Sequence, residues 1–280
     1  MIKYIQHNRH RPIGIFDSGI GGLTVAKAVK AALPNEDILY FGDTARVPYG
    51  VKSEETVRAY ALEITKFLMD KGVKMILIAC NTVSASAKED IIQRVGTIPV
   101  IDVISAGAQA ASKSGLGVTP TVGVIGTIAT VQSKAYEEAL IQQLGSVNVI
   151  QQACPLLVPL AEEGWIEHEV ARLTIKEYVH AFDDYQLDAL ILGCTHYPLF
   201  TNLIADALPL KQTQIIDSAE SIATSAKQYL ERQGGCNTKG SSFNCFVSDR
   251  PKRFQELAER FLGQPLTNIE IVRDLDNHKW

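Results

Sequence analysis

Two short segments of the sequence place a cysteine directly after an apolar run. The segments are "MILIACNTVS" and "ILGCTHYPLF", and their cysteines are Cys80 and Cys194. The residues that follow these cysteines are hydrogen-bonding types, namely Asn81, Thr82, Thr195 and His196. Such side chains have no reason to cluster in an apolar core, so both thiols are candidates for chemistry. We expect the other cysteines, Cys154, Cys236 and Cys245, to be small buried hydrophobic residues.

Three kinds of chemistry could use the two thiols. Metal binding by Cys80, Cys194 and His196 is conceivable, but neither CxxC nor HExxH spacing supports it. A nucleophilic thiol paired with His196 would use one cysteine and leave the other idle. Racemisation would use both, because one thiolate removes the Cα proton from one face while the opposite thiol returns a proton to the other face.

A glycine-rich segment near the N-terminus, "DSGIGGLTV", leaves a different enzyme class open. Gly19, Gly21 and Thr24 nearly match the dinucleotide-binding fingerprint, and Asp43 lies about where a ribose-binding carboxylate would be. The third glycine is missing. The segment therefore fits a nicotinamide-dependent dehydrogenase only in part, and backbone N–H groups at the start of the following helix would suit any anion, including a carboxylate.

Short apolar runs rich in Ile and Val alternate with longer amphipathic segments along the chain. Continuous apolarity predicts strands buried on both faces, and apolar residues spaced by three and four predict helices. The predicted strands cover residues 12–18, 37–43, 74–80, 98–104, 121–127, 147–153, 187–194 and 213–219, and the predicted helices 22–33, 54–72 and 168–182. The pattern indicates an α/β protein with largely parallel sheets flanked by helices. The segment after about residue 263 is too short and polar to assign.

The two cysteine segments also belong to a weak internal repeat. Cys80 and Cys194 are separated by almost the same interval as Asp102 and Asp217. Equivalent thiols at strand ends would meet in one cleft, because open α/β sheets bind ligands at the carboxyl ends of their strands. We therefore expect two similar domains related by a pseudo-twofold axis, with the active site between them. The predicted domains are residues 1–104 plus 219–280, and residues 105–218.

Composition and charge restrict the partners. The chain has 280 residues, 46% of them hydrophobic, and a net charge of −4 with basic residues scattered along it. These values predict a soluble globular protein without an electrostatic surface for nucleic acid or an anionic membrane. An apolar run of membrane-spanning length and a secretory signal are both absent from the sequence, so we expect a cytoplasmic protein with reduced thiols.

Six segments between residues 12 and 199 carry a resemblance to a known family. They are "PIGIFDSGIGGLTV", "YFGDTARVPYG", "IACNT", "GVIGT", "ACPLLVPLAEEG" and "LILGCTHYPL", in this order. Together they resemble the bacterial glutamate racemases, within the two-cysteine aspartate/glutamate racemase family. The resemblance implies a cofactor-independent isomerase, without a metal, that makes D-glutamate for peptidoglycan synthesis in the cell wall. It also implies two α/β domains around the active site and a homodimer.

Roles for individual residues follow from the same resemblance. Cys80 would act on D-glutamate with help from Asp17, and Cys194 would act on L-glutamate with help from His196. Glu162 would be a further assisting carboxylate. The substrate's carboxylates and ammonium would be held by Asp17, Ser18, Tyr49, Gly50, Asn81, Thr82, Thr195 and His196.

Three alternatives stay open at this stage. Aspartate and hydantoin racemases share the two-cysteine plan, so another amino acid could be the substrate. A nicotinamide-dependent dehydrogenase and a non-catalytic amino-acid-binding protein would use the same cleft differently. The sequence also leaves open whether the residues before Pro12, or a peptidoglycan precursor, regulate activity.

Overall fold

Two parallel β-sheets form the framework of the protein, seen in a computed structural model that describes residues 2–210, 212–266, 268–273 and 275. The strands are β1 (Ile13–Asp17), β2 (Ile38–Gly42), β3 (Met75–Ile78), β4 (Val100–Asp102), β5 (Thr121–Gly126), β6 (Asn148–Ala153), β7 (Ala189–Gly193), β8 (Gln214–Asp217), β9 (Phe243–Val247) and β10 (Ile269–Ile271). The α-helices are α1 (Ile2–His7), α2 (Leu23–Ala32), α3 (Glu54–Asp70), α4 (Asn81–Val95), α5 (Val103–Lys113), α6 (Ile128–Gln132), α7 (Ala135–Leu144), α8 (Leu157–Glu162), α9 (Glu169–Val179), α10 (Thr201–Ala207), α11 (Ser218–Gln233) and α12 (Pro251–Leu262).

The two sheets repeat one strand order. The first sheet runs β10-β9-β2-β1-β3-β4 and the second runs β6-β5-β7-β8. All strand pairs in the described part of the chain are parallel. The order β2-β1-β3-β4 therefore recurs as β6-β5-β7-β8, which makes β3 the counterpart of β7. The predicted α/β class with parallel sheets and flanking helices is confirmed.

Burial explains why the strands read as continuous apolar runs. All residues of β1, β2, β3 and β7 are buried, because helices cover both faces of each sheet. The helices are amphipathic, and α3 is capped by Ser53, whose hydroxyl accepts a hydrogen bond from the backbone N–H of Thr56. The predicted helices over 22–33, 54–72 and 168–182 correspond to α2, α3 and α9 with small changes at their ends.

Two predicted strands are shorter than expected because an aspartate ends each of them by starting a helix. The runs over 98–104 and 213–219 contain only β4 and β8. The carboxylate of Asp102 accepts from the N–H of Ser105, and that of Asp217 accepts from the N–H of Ala219. These caps begin α5 and α11, the helices in which the predicted domain boundaries fall. The boundaries themselves stay a prediction.

The C-terminal segment contributes elements that the sequence did not reveal. Strand β9 and helix α12 follow α11, and β10 lies after residue 263, where the sequence pattern is too short and polar to predict an element. Both strands extend the first sheet beyond β2. Their runs are short, and β10 is partly exposed, so their apolar pattern is weak. Among the described residues, no helix has the length and apolarity to cross a membrane.

The residues before β1 are held by a buried ion pair. Lys74 and Glu36 are almost fully buried, and Nζ of Lys74 lies 2.6 Å from Oε2 of Glu36. The same Nζ donates to the carbonyl oxygens of Arg9 at 2.7 Å and Gly235 at 2.9 Å. Ile5, in α1, is fully buried. The N-terminal segment is thus part of the packed structure.

Candidate active site

One cavity collects all the site residues that the sequence predicts. It has a volume of about 180 Å³ and receives side chains from the carboxyl ends of both sheets. The predicted residues that line it are Asp17, Ser18, Tyr49, Gly50, Cys80, Asn81, Thr82, Glu162, Cys194, Thr195 and His196. The two thiols follow the topologically equivalent strands β3 and β7. Cys80 and Cys194 therefore reach the same cavity from the two halves of the repeat.

Cys80 lies in a buried position at the start of α4. It is 5% exposed, and its Sγ donates a hydrogen bond to Oγ of Ser18 over 3.6 Å. Burial, followed by the nearby carboxylate of Asp17, raises the pKa of the Cys80 thiol to about 12. Cys80 is therefore a protonated thiol at neutral pH.

Asp17 ends β1 beside Cys80. Its Oδ2 accepts backbone N–H groups of Gly19 at 3.2 Å and Gly22 at 2.9 Å. Its Oδ1 is buried and has no hydrogen-bond partner among the described residues. Burial raises the pKa of Asp17, against the opposing effects of His196 and the backbone donors. The free oxygen makes Asp17 an acceptor for a donor group of a ligand.

A second cluster surrounds Cys194. Its Sγ lies 3.9 Å from Nδ1 of His196, and Nε2 of His196 lies 3.3 Å from Oε1 of Glu162. Burial alone would lower the pKa of His196, but the contacts with Cys194 and Glu162 outweigh it and raise that pKa to about 10. An imidazolium thus faces the sulfur of Cys194 at neutral pH. A cation in this position stabilises negative charge on a thiolate.

The two sulfurs therefore have unlike surroundings. Cys80 has a hydroxyl and a carboxylate near it, whereas Cys194 has a cation. In the resting protein this arrangement keeps a proton on Cys80 and places a cation beside the opposite sulfur. Such a pair can donate a proton from one side of a bound molecule and accept one from the other.

Neutral polar groups complete the cavity wall. Oδ1 of Asn81 accepts from the Tyr136 hydroxyl at 2.7 Å, while its buried Nδ2 finds no partner in the part of the chain that the structure describes. The hydroxyls of Thr82 and Thr127 lie 3.2 Å apart. Thr24 donates to the carbonyl oxygen of Thr195 at 3.0 Å, which joins the start of α2 to the turn after β7. Of these groups, Nδ2 of Asn81 and the hydroxyls of Thr82 and Thr127 line the cavity and can donate hydrogen bonds to the oxygens of an anionic ligand.

Tyr49 enters the site in a different way from the small polar residues. Its hydroxyl donates to Asp43, a fully buried carboxylate that also accepts from Arg46 at 2.6 Å and from Ser248 at 2.7 Å. The hydroxyl is thereby occupied, and Tyr49 and Gly50 present their other atoms to the cavity. Asp43, the candidate ribose ligand of a dehydrogenase, has both oxygens engaged inside the protein.

The sequence did not single out Thr127, which lines the cavity at the end of β5. In the repeat, β5 corresponds to β1, so Thr127 is the counterpart of Ser18. The interval between "IGIFDSG" and "VGVIGTI" was the signal that could have identified it. The apolar part of the wall was also missed, because its residues carry no chemical signature. It consists of Val47, Pro48, Val51, Ile128, Pro155, Val158 and Pro159.

The absence of a side chain at Gly21 allows close contact between the turn before α2 and the residues after β7. A Cβ at Gly21 would overlap Oγ1 of Thr195 and the imidazole ring of His196. The turn before α2 therefore packs directly on the residues after β7. Within the described ranges, no group of three or more His, Cys, Asp and Glu side chains is arranged to hold a metal ion.

Comparisons with known proteins agree with this geometry. A family model described as Asp/Glu/Hydantoin racemase matches residues 23–226. A glutamate racemase from Chlorobaculum parvum is 50% identical over 266 residues, which are 93% of this chain and 96% of that protein. The crystal structure of a Francisella tularensis glutamate racemase in complex with D-glutamate is 42% identical, with a TM-score of 0.89, and the match covers 96% of this chain and all of that one. A Bacillus anthracis glutamate racemase is 35% identical, with a TM-score of 0.90 over 95% of this chain and 99% of that one.

Proposed function

The chain belongs to the Asp/Glu/hydantoin racemase family, and from this premise we propose that it interconverts L-glutamate and D-glutamate. One observation carries the proposal, namely that Cys80 and Cys194 follow equivalent strands and line one cavity. The D-glutamate formed would supply peptidoglycan synthesis. The enzyme is an isomerase.

The reaction needs two proton transfers at the α-carbon. Starting from L-glutamate, the Cys194 thiolate takes the Cα proton, and the Cys80 thiol gives its own proton to the opposite face of the carbanion. The reverse reaction exchanges the two roles. The imidazolium of His196 and the protonated Cys80 thiol match the starting state for L-glutamate, because the base lies beside a cation and the acid holds its proton.

The remaining site residues hold the substrate and assist the thiols. Oδ1 of Asp17 can accept from the α-ammonium, and Nδ2 of Asn81 can donate to a carboxylate. The N-terminus of the 15-residue helix α4 adds backbone donors beside Cys80. Glu162 keeps His196 charged. We assign the other polar contacts to Ser18, Tyr49, Gly50, Thr82 and Thr195.

We propose glutamate rather than aspartate as the substrate, because relatives that are about half identical over most of the chain are glutamate racemases. The test is incubation of the protein with L-glutamate or L-aspartate in D2O, with optical rotation and Cα deuterium followed together. We expect both signals to change with glutamate and to stay almost constant with aspartate. Binding without turnover would support an amino-acid-binding protein, and turnover that requires added nicotinamide would support a dehydrogenase.

The roles of the thiols are tested by serine variants. Cys80→Ser and Cys194→Ser should each nearly abolish racemisation, because a hydroxyl is a far weaker acid than a thiol of pKa about 8.5. Cys236→Ser, at a thiol outside the cavity, is the matched control and should keep the wild-type rate.

An irreversible elimination reaction distinguishes the roles of the two thiols. With β-chloroglutamate, a base takes the Cα proton as chloride leaves, so a single thiolate is sufficient. Cys80→Ser should retain elimination from the L-enantiomer and lose it from the D-enantiomer, and Cys194→Ser should do the reverse. Loss of both eliminations in one variant and of neither in the other would contradict opposed bases.

We also propose the domain division, the location and the assembly. The division into residues 1–104 plus 219–280 and residues 105–218 is supported by the membership of the two sheets. Residues 105–218 expressed alone should fold, as judged by circular dichroism and NMR, and an unfolded fragment would contradict the division. A cytoplasmic homodimer is supported by the family resemblance. Sedimentation analysis should give twice the monomer mass, and cell fractionation should recover the protein with the cytosol.

A further inference from the structure

Helix α12 reaches the Cys194 side of the cavity from outside it. The helix lies in the C-terminal segment, between two strands of the first sheet, yet its side chains contact residues around the second sheet's strand ends. The Phe261 ring packs perpendicular to the His196 ring, with centroids 5.4 Å apart and an angle of 85° between the planes. Arg260 donates from its guanidinium to the backbone carbonyl of Glu162 at 3.2 Å. Arg253 forms an ion pair with Glu163 at 3.2 Å.

These contacts fix the imidazole ring of His196, both of whose nitrogens have a partner in the site. Nδ1 of His196 faces the Cys194 sulfur, and Nε2 faces the Glu162 carboxylate. Rotation of the ring plane would break both contacts. The Phe261 ring is 1% exposed and does not line the cavity, so it touches His196 but not a bound substrate. Phe261 therefore affects the site through its contact with His196.

Glu162 needs external support because its own helix is short. It ends the six-residue helix α8, and Gly164 follows with a left-handed φ of 78°. A helix of this length is not stable on its own. The Arg260 guanidinium packs against Gly164 so closely that a Cβ there would overlap it. Arg260 thus holds the turn that carries the Glu162 carboxylate.

We infer that Phe261 and Arg260 are positioning residues that hold the His196–Glu162 pair in place beside Cys194. The inference rests on the proposed racemase function. It ties the C-terminal helix to the Cys194 half of the active site. Phe261 and Cys194 share a hydrophobic core cluster, whereas Cys80 belongs to a different one.

The test compares Phe261→Leu with Phe254→Leu. Both residues are buried aromatic side chains of α12, but Phe254 packs against Tyr40 rather than His196. The measured quantity is kcat/KM for chloride release from the two enantiomers of β-chloroglutamate. For Phe261→Leu we expect the L-side value to fall at least about threefold and the D-side value to stay within about twofold of wild type. Phe254→Leu should leave the ratio of the two values unchanged.

A spectroscopic readout accompanies the rates. In Phe261→Leu, NMR of labelled imidazole should show a lower pKa for His196 than in the wild type, because the ring no longer holds its contacts with Cys194 and Glu162. An unchanged ratio of L-side to D-side elimination together with an unchanged His196 titration would overturn the inference. An equal fall on both sides would indicate a general structural role and would overturn it as well.

Arg260 provides a second variant that does not disturb the core. Arg260→Gln, compared with Lys252→Gln at another exposed position of α12, should lower the L-side elimination selectively. If Phe261→Leu fails to fold, Arg260→Gln decides alone, and an unchanged ratio in it would refute the inference. The proposed function fails separately, if wild-type protein neither racemises glutamate nor exchanges its Cα proton.

Discussion

The high pKa of Cys80 predicts different pH dependences for the two faces of the reaction. A raised thiol pKa favours the neutral form, so the thiolate fraction grows as pH rises towards the pKa of about 12. At about pH 8 only about one Cys80 in 10⁴ is a thiolate, and the fraction increases tenfold per pH unit. Elimination from D-β-chloroglutamate uses this thiolate as its base. Its kcat/KM, which reports the free enzyme, should therefore rise about a hundredfold between about pH 6.5 and 8.5.

The L-side should behave differently over the same range. His196, with a pKa of about 10, keeps its charge beside Cys194 throughout. The kcat/KM for L-β-chloroglutamate should therefore rise less over this range than the D-side value does, because a cation lies beside its base. The assay is chloride release from each enantiomer across the pH range, and the D-side profile in Cys194→Ser is the control, because elimination there needs Cys80 alone. A D-side rate that levels off below about pH 8, or two parallel profiles, would refute the effect assigned to burial of Cys80.

Three further predictions concern the packing of the site, the buried ion pair and the absence of a cofactor. Gly21→Ala should lower kcat/KM for glutamate at least about tenfold by displacing His196, whereas Gly117→Ala, where a Cβ meets no atom within 4 Å, should be neutral in the same assay. Lys74→Met should lower the free energy of unfolding in urea by about 3–5 kcal/mol, because it leaves Glu36 buried and uncompensated. Lys66→Met, in an exposed pair, should cost less than about 1 kcal/mol. Dialysis against a chelator should leave racemisation at the wild-type rate, and rescue by an added metal, pyridoxal phosphate or nicotinamide would contradict the cofactor-independent mechanism.

The sequence predicted most of the polar residues that line the cavity, because they follow the strand ends. Cys80 and Cys194, with the polar residues that follow them, end long apolar runs in the sequence. The carboxyl ends of parallel strands lie at one edge of a sheet, so these residues are expected to lie close together. The resemblance added Asp17 and Glu162, which no periodicity would identify. Phe261 could not be foreseen, because its contact with His196 depends on how a C-terminal helix packs against the other half of the molecule.

Local patterns also could not show how polar groups are divided between the ligand and the protein. Tyr49 and Asp43 looked alike as polar loop residues, but the hydroxyl of one is bound to the carboxylate of the other. In contrast, Asn81 retains an unused donor and Asp17 an unused acceptor among the described residues. These differences arise from tertiary hydrogen bonding between segments, which the order of residue types does not encode.

The use of two opposed bases leaves the enzyme in a protonation state that depends on the substrate it has last converted. In the proposed mechanism, each conversion of L- to D-glutamate leaves Cys80 without the proton that its raised pKa holds in the resting protein, and leaves Cys194 with the proton taken from the substrate. The released enzyme is then prepared for D-glutamate until it exchanges protons with water. Conversion in the other direction returns a proton to Cys80 directly. L-glutamate and D-glutamate are equal in free energy. The protonation state of the enzyme after each turnover nevertheless depends on the direction of that turnover.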